Sequence, residues 1–82
     1  MPPKHNLAAR LKTARLKADL TQTELAAAAG CAQGNVSDYE RGSVEPSVSV
    51  LCRLCRALGV SADTLLGLAG KVPLSQMKRG SR

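Results

Sequence analysis

The sequence predicts an all-α fold, a compact bundle of five short helices, on three observations. Apolar residues recur at helical spacing in several segments, each bounded by capping and stop residues. The composition is globular, 44% hydrophobic and 22% charged, yet it holds one aromatic residue, Tyr39, and no Phe, Trp or Ile. Twelve Ala among 82 residues imply helices that approach closely, around a core of Leu, Val and Ala. This length accommodates one small domain, expected over residues 6–68, and a basic tail, 69–82.

The first helix opens at Asn6, a candidate N-cap, and carries Leu7, Leu11, Ala14 and Ala18 on one face. Arg10, Lys12 and Lys17 fall on its remaining surface, and Asp19 ends it in a turn, because Asp tolerates left-handed backbone. Thr21-Gln22-Thr23-Glu24 is a capping box that starts the second helix. Leu25, Ala26 and Ala29 are its buried side, and Gly30 stops it.

Only Cys31 and Ala32 separate it from a third helical pattern, Gln33 to Arg41. There Val36, Tyr39 and Glu40 share one side, while Gln33, Gly34, Ser37, Asp38 and Arg41 share the other. That second side is polar and has no core to meet. Gly42 closes this helix. Ser47 caps a fourth, with an expected apolar stripe of Val48, Leu51, Cys52, Cys55 and Leu58, and with Arg53 and Arg56 toward solvent. Gly59 stops it. Ser61 caps a fifth, with Asp63 in its first turn and Leu65, Leu66 and Leu68 expected within it.

A formal charge of +6 and a pI near 9.8 favour a polyanionic partner, nucleic acid or an acidic membrane surface. The longest uncharged apolar stretch, Leu25 to Ala32, is too short to span a bilayer. The first eighteen residues, basic and free of acid, would also suit an organellar transit peptide, although they make a good first helix. Three cysteines, Cys31, Cys52 and Cys55, lack the pattern of a disulfide framework and fit a reducing cytoplasm. A zinc site at Cys52 and Cys55 would need further ligands from Cys31 and His5; buried small hydrophobes are the simpler reading, and no metal or other cofactor is expected. With one histidine and no nucleophile beside a base, the chain does not read as an enzyme.

Two helices joined by a short Gly-containing turn, the second with a polar face, form the geometry that enters the DNA major groove. Leu20-Thr21-Gln22, Leu25-Ala26, Gly30, Val36-Ser37, Tyr39-Glu40-Arg41-Gly42, Pro46-Ser47 and Leu58-Gly59-Val60, in order and over residues 7–66, resemble the Cro/CI-type, or XRE-type, helix-turn-helix family. The resemblance implies a lambda-repressor-like DNA-binding domain of five helices, in a bacterial or phage regulator that works as a cytoplasmic, nucleoid-associated homodimer. It assigns Gln22 to a DNA phosphate, and Gln33, Gly34, Ser37 and Asp38 to the groove-facing side of the third helix. Asn35 lies near enough to reach backbone or base. Gln33 suits adenine, Asp38 cytosine N4, and Arg41 a phosphate or guanine.

The family also pairs an Arg of the first helix with a Glu late in the third, matched here by Arg15 and Glu40. Two departures weaken the third helix: Ala32 stands at the usual Ser or Thr cap, and Gly34 lies in the first turn, each costing about 1 kcal/mol. Because the loop after this helix holds Glu45, phosphate attraction is expected partly from Lys4, Arg10, Lys17 or the tail. Leu65, Leu66 and Leu68 are the expected dimer interface. The function so implied is a sequence-specific transcriptional regulator, a repressor, on a two-part operator of double-stranded DNA. The alternative is an antitoxin that uses the same fold to hold a toxin protein, the basic tail being its candidate binding segment.

Overall fold

The computed structural model describes residues 6–68, so the expectations for Lys4, His5 and the tail 69–82 lie outside the described residues. Five helices follow in order: α1 (Leu7–Lys17), α2 (Gln22–Ala29), α3 (Gln33–Arg41), α4 (Val48–Leu58) and α5 (Ala62–Leu66). The α2–α3 pair rests on two supports: α2 packs against α4, and α3 packs against α1. Helix α5 packs against α1 and α4. Leu11, Leu25, Val36, Leu54 and Leu65 are fully buried at the centre, with Tyr39 and Cys55 at its edge. A buried side chain of this size stabilises by about 1.5–3 kcal/mol, so five of them are the main cohesion of so small a domain.

Local chemistry starts the helices where the residue types require it. Thr21 Oγ1 accepts from the Glu24 amide at 3.0 Å, and the Thr21 amide donates to Glu24 Oε1 at 2.9 Å. Ser47 and Ser61 cap α4 and α5 through the amides of Val50 and Thr64. Asp19, at φ 61°, makes the left-handed turn after α1. At Gly30, φ 72° lets the Cys31 amide reach back to the Ala26 carbonyl at 3.0 Å, which ends α2 and turns the chain into α3.

Several expectations are corrected. Asn6 sits before α1 but in left-handed backbone, and its side chain caps nothing; only its carbonyl opens the helix, accepting from the Arg10 amide. Ala18 is exposed at the helix end, and α1 buries Arg15 instead. The inward stripe of α4 is rotated: Leu54 is fully buried, while Val48 and Cys52 are exposed. Cys55 behaves as a small core hydrophobe whose thiol burial pushes up, whereas Cys52 stands at the surface. Arg53 is exposed, as expected, and also bonds across the fold. Its Nε donates to the Ala29 carbonyl at 2.8 Å, tying α4 to the last turn of α2.

Helix α5 ends at Leu66, with Gly67 as its C-cap, so Leu68 lies beyond the helix rather than in it. Leu65 is fully buried in the monomer and is thereby removed from any surface where two copies could meet. Leu66 is half-buried and Leu68 is 54% exposed. Among the described residues no helix is long and apolar enough to cross a membrane, and no three His, Cys, Asp or Glu side chains gather.

Candidate nucleic-acid interface

The start of α2 and the outer face of α3 form one polar surface. Val36 and Tyr39 anchor α3 to the core, which turns Gln33, Gly34 and Arg41 outward and leaves Ser37 and Asp38 half-exposed beside them. Asn35 is exposed in the first turn. No side chain caps α3 at Ala32. Gly34 has helical backbone, and an added Cβ would meet nothing within 4 Å, so the fold itself makes no demand for glycine there.

Beneath this surface Arg15 and Glu40 form a two-point ion pair. Arg15 Nε lies 2.6 Å from Glu40 Oε2 and Nη2 lies 3.1 Å from Oε1; the side chains are 10% and 4% exposed. Arg15 Nη1 also donates to the Leu20 carbonyl at 2.8 Å, which fixes the chain between α1 and α2. Burial pushes the Glu40 carboxyl up. Hydrogen bonds from Arg15 and Gln22, with the charges of Arg15 and Lys12, together outweigh that and hold it below the usual carboxylate range. The hydrogen bond to Glu40 holds the Arg15 guanidinium above its ordinary value, against its own burial.

The pair extends outward through amides. Gln22 Nε2 donates to Glu40 Oε1 at 3.1 Å, and Gln33 Nε2 donates to Gln22 Oε1 at 2.8 Å. An exposed side chain on α3 is thus oriented by a buried charge on its own helix, by way of α2. Residue types alone did not reveal this relay, because Gln22 and Gln33 are partners only once the turn has folded. At the other end of α3, Arg41 pairs with Asp38 and donates to Ser37 Oγ, so three residues of the polar face form one neutral cluster. That contact was legible, since residues three and four apart share a helix face. Arg10 and Lys17 line a groove that α1 shares with Leu58, Val60 and Thr64.

The family of helix-turn-helix domains matches residues 6–67. The HTH-type transcriptional regulator ImmR of Bacillus subtilis is 42% identical over 62 residues, which are 76% of this chain and 49% of ImmR; the chain spans about half the length of that relative. The P22 c2 repressor, solved in complex with a synthetic operator, is 31% identical and superposes with a TM-score of 0.72, over 76% of this chain and 94% of that one. The clp gene regulator ClgR from C. glutamicum is 37% identical with a TM-score of 0.73, over 90% of this chain and 99% of its own. Five helices in this order, the capped α2 and its Gly30 turn into α3, together with the match over residues 6–67, show that the chain belongs to the Cro/CI-type helix-turn-helix family.

Proposed function

We propose that the domain is a sequence-specific DNA-binding transcriptional regulator, acting as a repressor, and that α3 is its recognition helix. The observation that carries this reading is the Gln33 side chain, exposed on α3 yet held in place by Gln22. With one N–H donated to Gln22, Gln33 keeps Oε1 and its second N–H, the pair of groups that meets N6 and N7 of adenine. In this reading Gln22 and the first amides of α2 meet a phosphate, where the helix dipole favours an anion.

Asp38 accepts from a cytosine amino group, and Ser37 and Asn35 supply lesser contacts to base or backbone. Arg41 releases Asp38 and Ser37 to meet a phosphate or guanine. The absence of any neighbour around Gly34 suits close approach of the helix backbone to the groove wall. Two copies meet through Leu66 and Leu68, and the two α3 helices read half-sites about one helical turn apart.

Selection of bound fragments from random duplexes tests this. The expected result is a two-part motif with its halves spaced by one turn. Fragments without any shared motif would reduce the domain to a non-specific binder, and a motif with one half-site would remove the dimer.

A further inference from the structure

The surface of α1 is divided between two faces. Arg15 points toward Glu40 and α3. Arg10 and Lys17 project about 140° and 160° round the helix from Arg15. They line a groove of about 540 Å³ between α1 and the end of α4 with α5. Its apolar lining includes Ala14, Ala18, Leu58 and Val60, and none of the described residues that line it is acidic. The α1 wall runs from Asn6 to Ala18, about 18 Å or three helical turns. Arg10 marks one end, packed so near the chain leaving α5 that a Cβ on Gly67 would stand 2.6 Å from Arg10 Nε.

Both cations thus lie on the side of α1 turned away from Arg15 and Glu40. The two are seven residues apart on one helix, about 10 Å along the axis, with the small side chains of Ala14 and Ala18 beside them. Such a site fits an occupant with an apolar stripe and two carboxylates at matching separation. We propose that this groove binds an acidic amphipathic helix of a partner protein. The partner's apolar residues cover Ala14, Ala18, Leu58 and Val60, while its carboxylates, two turns apart, meet Arg10 and Lys17. The alanines let the two helices approach closely. A small amphiphilic acid with one carboxylate would engage one cation and leave the other end of the groove unfilled, and the net charge of +6 also favours an acidic partner. This inference goes beyond DNA binding and uses the opposite side of α1.

The probes are a synthetic amphipathic peptide, with glutamates seven residues apart flanking a leucine stripe, a scrambled peptide of the same composition, and dodecanoate. Amide shifts are followed in the free protein and in protein saturated with a short duplex at low salt. The expected result is that the amphipathic peptide alone shifts Ala14, Ala18, Leu58 and Val60, with or without duplex. Replacing both cations, Arg10→Gln with Lys17→Gln, then weakens the peptide by about fivefold, as for two exposed ion pairs. Ala18→Arg, at an exposed helix end, keeps the helical signal and the positive charge but blocks the floor. The proposal is overturned if the scrambled peptide binds equally, if the shifts fall on α3, if the duplex displaces the peptide, or if dodecanoate fills the groove and the peptide does not.

Discussion

Gln33 Nε2 donates to Oε1 of Gln22 at 2.8 Å, which joins α3 to the N-terminus of α2. The two amides thereby act as a unit. Gln33→Ala is expected to cost about 1–3 kcal/mol on the selected duplex and to relax preference at one base position per half-site. Gln22→Ala should relax the same position, because it frees the Gln33 side chain. A double-mutant cycle in duplex titrations should show coupling of about 0.5 kcal/mol or more. Additive losses would mean that Gln33 finds its base without help from Gln22.

Arg15→Ala should destabilise the domain by about 3 kcal/mol, since it leaves a 4%-exposed carboxylate with Gln22 as its remaining donor and also frees the Leu20 carbonyl. Urea unfolding measures this directly. A loss under about 0.5 kcal/mol would place the pair among exposed ones of little consequence.

Acid should unfold the protein through the same pair. The Glu40 carboxyl is held below its ordinary 4.5, so its contribution is fully present above that value and is lost as pH falls through the lowered folded one. The urea midpoint should stay level down to about pH 5 and drop below it. Glu40→Gln should be less stable at neutral pH and show a shallower acid limb; an unchanged limb would assign the acid sensitivity to other carboxylates.

Gly34→Ala separates folding from binding. An added methyl meets open space in helical backbone, so the free protein should gain about 0.5–1 kcal/mol and melt higher. DNA affinity should fall, because the methyl stands between the helix and the groove wall. A variant that gains both stability and affinity would show that α3 keeps its distance from DNA at this point.

Leu68→Lys should shift the protein toward monomer in sedimentation and weaken operator binding, because Leu68 is 54% exposed beside half-buried Leu66. Unchanged mass and affinity would locate the dimer contact elsewhere.

What the sequence disclosed is what local chemistry decides. The Thr21–Glu24 box, the serine caps and the glycine stops involve neighbours within five residues, and all but the stop at Gly67 were legible. Arg15 and Glu40 were paired only through the family resemblance, and the pair's reach to Gln22, Gln33 and Leu20 left no mark on residue type. Arg53 faces solvent as its position implied, but its bond to α2 was not legible because the partner is a backbone carbonyl, which every residue carries. On α4 the apolar residues cover more than half the circumference, so Leu54 and Cys52 could exchange faces without disturbing the pattern. Leu65 and Leu66 on α5 and Leu68 just beyond it could not all face inward, and nothing local selected Leu65.

The bond from Arg53 to the Ala29 carbonyl sets the smallest portion of this chain that could be transplanted. Helix α2 has eight residues, four of them consecutive alanines at its end, and helices so short do not persist alone in water. Its last turn is clamped from a helix that begins almost twenty residues later in the chain. A peptide cut to residues 20–42 therefore carries all the side chains of the α2–α3 polar surface and none of their geometry. Grafting this helix pair onto another scaffold requires bringing α1 and α4 with it, as frame rather than cargo.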